Sequence, residues 1–155
     1  MNPEKIQWLR GELVNLESAA THLQFSLERS QQLIHCSTWA LEELERLESL
    51  TSRFARLADL LIQRVMRLID ELELTPQGTV LDRIQRAEKR GWMAQAGQLV
   101  QIRELRNLIA HEYANDKMPE IYRAVVTLTP VLLAAIPQVK QYSNALISRY
   151  DAGIV

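Results

Sequence analysis

Residues 41–72 read LEELERLESLTSRFARLADLLIQRVMRLIDEL, and apolar side chains recur in this stretch every three or four positions. That spacing places the apolar side chains on one face of an α-helix. The pattern continues until Thr75-Pro76-Gln77-Gly78, a combination of residues that stops a helix. We therefore predict one long helix over this stretch, with one side packed against other elements.

The same spacing extends on both sides of the long helix. A first helix is predicted from Ile6 to Leu33, and a break at residues 35–38 follows it, in which Ser37 or Thr38 would cap the next helix. Three more helices are predicted after the turn: a short one that starts at Thr79 with Asp82 and ends near Gly91, one from about Ala94 to Tyr113, and a last one from Pro119 to about Arg149, kinked or divided at Pro130 and Pro137.

Composition agrees with a soluble helical protein. The 155 residues are 47% apolar and 24% charged, with five Gly, five Pro and a net charge of −1. These values predict an all-α fold, an up-and-down bundle of about five helices, in one domain over residues 1–155. Whole-protein basicity of the kind that coats DNA is excluded.

Cys36 is the single cysteine of the chain and cannot form an intramolecular disulfide, so a reducing cytoplasm is the simplest compartment. The longest apolar stretch, residues 124–139, falls short of the roughly 20 residues that span a bilayer. We expect it to be a buried helical segment and expect no membrane association. His35 and Cys36 have no second pair at ligand spacing, so no metal site is predicted.

The stretch RELRNLIAHEY, residues 103–113, holds the candidate chemistry. Each residue of an α-helix is rotated by roughly 100° around the axis from the one before it. This stretch therefore has two opposite faces. The apolar face holds Ile102, Leu105, Leu108 and Ile109, and the polar face holds Arg103, Asn107, Ala110 and His111, with Arg106 and Tyr113 near a boundary. His111 thus points away from the apolar face, which favours a functional site, a solvated surface or a packing interface over a core position.

Arg106-Asn107-x-x-x-His111-x-Tyr113 resembles the R-x4-6-H motif of HEPN domains, in the R-x4-H-x-Y form of HepT-like proteins. The phrase LDRIQRAEKRG at residues 81–91 and the order of the helices are also similar to that family. The resemblance implies a HEPN-like helical bundle that dimerises. It also implies a metal-independent endoribonuclease without a cofactor, often the toxin partner of a small MNT-type nucleotidyltransferase antitoxin.

The residue types suit that chemistry. RNA is cut without a metal when its own 2′-hydroxyl attacks the adjacent phosphate, which requires a proton shuttle and a cation. Histidine titrates near neutral pH, so His111 would move the proton. Arg106 would hold the phosphate and stabilise the transition state, and Asn107 would orient the phosphate or His111.

Arg106 and His111 are five positions apart, roughly 140° around an ideal helix, so they do not converge within one chain. A two-fold dimer that sets two such helices against each other would form one composite cleft. We therefore expect a homodimer. By the resemblance, Tyr113 is the residue that the nucleotidyltransferase adenylylates to neutralise the toxin, although a boundary aromatic that merely packs is the ordinary alternative.

Basic side chains near the motif would guide RNA. The segment from residue 82 to residue 106 contains six basic and three acidic residues, a local excess of positive charge that would attract phosphates. Arg103, Arg90 and Lys89 are the predicted RNA-binding residues. Trp92 would stack a base or, as is commoner for tryptophan, anchor the core.

Two other functions remain open from the sequence. The chain could be a non-catalytic companion or substrate-binding subunit of a small nucleotidyltransferase, with the polar face of the fourth helix as its docking surface. It could also be a structural helical dimer in which the motif match is accidental. An intact set of Arg106, Asn107, His111 and Tyr113 favours the enzyme, since docking does not require a titratable histidine beside a fixed arginine.

Overall fold

The computed structural model describes residues 2–76, 78–95, 97–111 and 116–153, and every regular element in these ranges is helical. The elements are α1 (Pro3–Ser30), a 3₁₀ turn (Gln31–His35), α2 (Leu41–Asp59), a π-helical segment (Leu60–Val65), α3 (Met66–Leu72), α4 (Val80–Lys89), α5 (Gln98–His111) and α6 (Met118–Asp151). Because α2, the π segment and α3 follow one another without a break, they form one rod over residues 41–72. The predicted all-α fold of about five helices is confirmed for the described part of the chain.

Long helices that pack side by side alternate in direction. Lys5 near the start of α1 lies 3.4 Å from Glu71 at the end of the rod. The Ser30 hydroxyl at the end of α1 donates a hydrogen bond to the carbonyl of Arg46, which is near the beginning of the rod. The rod is therefore antiparallel to α1. Asp151, in the last turn of α6, forms an ion pair with the first third of α1, so α6 is antiparallel to α1 as well.

The larger of two apolar clusters runs through the bundle and receives side chains from all six α-helices, while a small one joins Leu33, Leu47 and Tyr122. Fully buried members of the larger cluster include Leu9, Leu16 and Leu23 of α1, Leu50, Phe54 and Met66 of the rod, Ile84 of α4, Ile102 of α5, and Val125, Leu132 and Val139 of α6. Along each long helix, buried residues recur every three or four positions, and this spacing is the physical reason that the helices pack along one face.

α6 is long and apolar enough to cross a membrane by length and composition, with a mean hydropathy of 1.4 over its most apolar window. Its buried side packs against α1, α2 and α5, so the predicted helical segment at residues 124–139 is buried along one side and exposed along the other. The helix is not divided at Pro130 or Pro137, and the predicted kink at these prolines stays a prediction. Packing on three neighbours holds the helix together where the prolines lack an N–H donor.

Helix starts agree with the sequence at one place and differ at another. The Thr79 hydroxyl accepts a hydrogen bond from the Asp82 N–H at 3.1 Å, and the Asp82 carboxylate accepts from the Thr79 N–H at 2.9 Å, which is the predicted reciprocal cap of α4. The hydrogen bonds from Thr79 lower the pKa of Asp82. Ser37 and Thr38 do not cap α2; its N-cap is Ala40, whose N–H donates to the Glu43 carboxylate at 2.9 Å.

α5 begins at Gln98, four residues later than the predicted Ala94. Gly97 has a φ of +86°, a left-handed conformation that a helix cannot include. The Gly97 N–H donates to the carboxylate of Glu88 in α4 at 2.6 Å. This bond links α4 to the start of α5 and determines where α5 can begin.

Buried charges attach α4 to the rod. The carboxylate of Asp70 lies 2.8 Å from the Arg86 guanidinium, 2.9 Å from that of Arg90 and 3.9 Å from that of Arg83. All four side chains are mostly buried. A buried carboxylate among three guanidiniums neutralises charges that would otherwise be costly to remove from water.

We predict that Asp70→Asn lowers the free energy of unfolding by about 3 kcal/mol, because it leaves buried guanidiniums without their counter-charge. Urea unfolding followed by circular dichroism measures this loss. Asp151→Asn is the matched control, since its pair with Arg10 is exposed and its loss should cost less than about 1 kcal/mol. Equal effects of the two substitutions would contradict the assignment of Asp70 as the internal counter-charge.

Candidate functional site

Arg106 is held by a carboxylate from the rod. Its Nε lies 2.6 Å from Asp59 Oδ1 and its Nη2 lies 3.0 Å from Asp59 Oδ2, so the two side chains form a bidentate pair. The arginine side chain is 33% exposed and the aspartate side chain 41% exposed, which places the pair at the surface of the bundle. The hydrogen bonds to Asp59 raise the pKa of Arg106, so the guanidinium remains charged.

The pair lies in a cleft of about 390 Å³ between α5 and the rod. Three of its lining residues come from α5 and four from the rod: Arg103, Arg106 and Asn107, and Asp59, Ile62, Gln63 and Arg64. A second hollow of about 300 Å³ lies on the other side of Arg106 and includes Ser52, Ala55 and Ala110. Arg106 therefore borders two hollows.

The π segment supplies three of the rod's residues in the cleft. A π-helix is a rare local widening that often occurs at functional sites. Ile62, Gln63 and Arg64 belong to this segment and line the cleft. Arg83 of α4 donates a hydrogen bond to the Ile62 carbonyl at 3.1 Å, so the widened backbone is tied to a neighbouring helix.

The predicted site residues between positions 103 and 113 differ in where they lie. Arg103, Arg106 and Asn107 line the cleft together. His111 is exposed at the last described residue of α5 and is not among the lining residues of the cleft. Tyr113 lies outside the described residues.

Burial along α5 corrects one detail of the face assignment. Ile102 and Leu105 are buried and Ile109 is partly buried, as predicted, but Leu108 is 38% exposed. Leu108 follows Ile102 by six positions, so it lies roughly 120° around the helix axis from that buried residue. The surface near His111 therefore includes an exposed leucine.

The predicted RNA-binding residues outside the motif occupy different environments. Arg90 is 11% exposed, pairs with Asp70 and with Glu73 at 3.0 Å, and stacks its guanidinium against the rings of Trp92 and Tyr142. These contacts give Arg90 a role inside the bundle, and its predicted contact with RNA stays a prediction.

Lys89 is exposed at the end of α4, and its predicted contact with RNA stays a prediction. Trp92 is buried, which confirms the commoner interpretation of this tryptophan as a core anchor. Its ring packs edge-on against Tyr142 at a centroid distance of 5.4 Å.

Sequence reasoning missed Asp59, Gln63 and Arg64. Asp59 is 47 positions from Arg106, and local periodicity carries no information about such a distant partner. One signal was present: an acidic residue interrupts the apolar run between Leu57 and Leu60. A half-buried charge on a packed helix generally has a partner on a neighbouring element.

The pair leaves part of the Arg106 guanidinium available. A guanidinium has five N–H bonds, and Asp59 accepts from Nε and from one N–H of Nη2. The other three N–H bonds make no hydrogen bond to the described side chains. The carboxylate thus fixes the plane of the guanidinium, and an anion in the cleft can bind to its outer edge.

Within the described ranges, no three His, Cys, Asp or Glu side chains come together in a way that could hold a metal ion.

Comparison of the chain with models of known protein families gives no match. Comparison with the curated proteins and with the solved structures also gives no match.

We predict a coupling energy of about 0.5–1 kcal/mol between Asp59 and Arg106, because bidentate geometry strengthens the pair while partial exposure weakens it. The measurement is a double-mutant cycle of Asp59→Asn and Arg106→Gln, with urea unfolding as the readout. A coupling near zero would show that the pair does not stabilise the fold. Several kcal/mol would contradict the expected weakening of the pair by its partial exposure.

Proposed function

We propose that this chain is a metal-independent endoribonuclease of the HepT-like HEPN type, with Arg106, Asn107 and His111 as its catalytic residues. The observation that carries the proposal is the bidentate fixation of Arg106 by Asp59 beside Arg103 and Asn107 in a cleft. A guanidinium that lines a cleft and has three N–H bonds without a partner among the described side chains suits a phosphate, whose oxygens accept paired hydrogen bonds.

In the proposed reaction the 2′-oxygen of the RNA forms a bond to the adjacent phosphorus, and the bond from phosphorus to the 5′-oxygen breaks. His111 takes the proton of the 2′-hydroxyl, and the protonated imidazole then gives a proton to the departing 5′-oxygen. Arg106 stabilises the negative charge that builds on the phosphoryl oxygens. The products are a 2′,3′-cyclic phosphate end and a 5′-hydroxyl end.

A dimer completes the proposed site. His111 lies on the exposed side of α5, away from the cleft that contains Arg106, so one chain offers the two groups separately. Two α5 helices related by a two-fold axis would bring each His111 towards the other copy's motif. Exposed Leu108 and the small Ala110 supply surface for that contact.

Regulation follows from the same proposal. In this account the chain is the toxin of a toxin–antitoxin pair, and an MNT-type nucleotidyltransferase partner adenylylates Tyr113, two residues beyond His111. The added phosphate would compete with RNA for Arg106.

We predict that the wild-type protein cleaves single-stranded RNA in excess chelator and that His111→Ala and Arg106→Ala each reduce the rate by about 100-fold or more. Arg106→Lys should recover only part of the activity, because lysine keeps the charge and loses the planar fork. The measurement is the initial cleavage rate at equal protein concentration.

His22→Ala is the matched control for His111→Ala, since His22 is an exposed histidine on α1 outside the cleft. It should cleave at the wild-type rate. If wild type and both motif variants are equally inert on protein whose Tyr113 carries no added nucleotide, the catalytic proposal fails. The exposed end of α5 would then favour a companion subunit of a nucleotidyltransferase.

A further inference from the structure

A further hollow of about 290 Å³ adjoins the cleft. It lies between α1 and the rod and is lined by Trp8, Glu12, Gln63, Arg64, Arg67, Leu68 and Glu71. Gln63 and Arg64 line this hollow and also the cleft, so a continuous surface leads from Arg106 to Trp8. We call the part formed by Trp8, Gln63, Arg64 and Arg67 the Trp8 track.

Positive groups form the outer layer of the Trp8 track. The side chains of Arg64 and Arg67 are 63% and 57% exposed, whereas their carboxylate partners, Glu12 at 3.1 Å and Glu71 at 3.2 Å, are 18% and 20% exposed. A ligand that approaches from solvent therefore meets guanidiniums first. Each arginine donates one hydrogen bond to its carboxylate, so other N–H bonds of its exposed guanidinium can bind a phosphate while the pair stays in place.

Trp8 is the exposed tryptophan of the described chain. The residue is 51% exposed, while Trp92 is buried and Trp39 packs edge-on against Tyr122. An exposed indole beside arginines is the combination that binds single-stranded nucleic acid, because each base has a flat face to stack and each nucleotide has a phosphate to neutralise.

We propose that the Trp8 track binds an unpaired RNA segment that continues from the cleft, with a base stacked on Trp8 and phosphates on Arg64 and Arg67. This inference rests on the proposed function for its ligand, since the track opens from the candidate catalytic cleft. The segment is single-stranded because a base in a duplex has no free face for the indole. A protein partner on the same surface is the outcome that the experiment must separate.

Binding is measured in the His111→Ala background so that RNA stays intact, with a labelled, unstructured oligouridine as the probe. Trp8→Ala should weaken binding roughly 5- to 100-fold, and Trp8→Phe should retain most of the affinity, because phenylalanine still stacks. Phe25→Ala is the matched control, since Phe25 is an exposed aromatic on the same helix whose ring lies under Arg29 instead of in the track.

The arginines are tested by salt dependence. Replacing Arg64 and Arg67 together by alanine should reduce the slope of log affinity against log salt concentration by about 1.4, since each phosphate contact with a single strand contributes about 0.7. Arg46→Ala, an exposed arginine of α2 outside the track, should leave the slope unchanged.

The results distinguish the track from the proposed function. Cleavage of a dinucleotide, which reaches only the cleft, should not depend on Trp8, whereas binding of oligouridine should. Weakened binding of oligouridine by Trp8→Ala, together with a wild-type protein that cleaves no RNA, would support the track and reject the nuclease. Equal binding by the Trp8→Ala, Phe25→Ala and parent proteins would overturn the track, even if cleavage is intact. Loss of the oligomer on Trp8→Ala with unchanged RNA affinity would also overturn it, in favour of a protein interface.

Discussion

The two hydrogen bonds between Asp59 and Arg106 are the interaction around which the candidate site is organised. They join α5 to the rod where α2 passes into the π segment. They also fix the direction of the Arg106 guanidinium, which borders both the cleft and the second hollow beside it. An arginine on a free helical surface would sample many rotamers, and part of the binding energy for an anion would be spent on ordering it. Asp59 supplies that order before a ligand arrives.

Packing around the pair explains why the site lies there. The rod is held on one side by α1, through its apolar stripe, and on another by α4, through the buried charges around Asp70. Arg83 reaches from α4 to the carbonyl of Ile62 inside the π segment. The backbone that lines the cleft is therefore supported by neighbours, while the cleft itself stays open.

Much of the fold was predictable because it depends on signals that repeat. The apolar spacing of residues 41–72 is sampled over many turns, and the Thr79 cap is a local exchange of two hydrogen bonds, so both agree with the structure. The π segment was not predictable, since its residues have the same apolar spacing as an ordinary helix. For α6 the sequence left a kink and a division both open, because the effect of Pro130 and Pro137 depends on the packing around them.

The candidate site was predictable only in part. Arg103, Arg106 and Asn107 share a cleft, but the side chains that complete it come from residues about 40 positions earlier, and no local pattern connects the two segments. Arg90 neutralises a buried carboxylate, a role that the local sequence does not distinguish from ligand binding.

The chemical identity of the RNA ends that the wild-type protein generates in chelator tests the central claim most directly. The account predicts 2′,3′-cyclic phosphate and 5′-hydroxyl ends that disappear with Arg106→Ala, whereas 3′-hydroxyl and 5′-phosphate ends, or intact RNA, would contradict it.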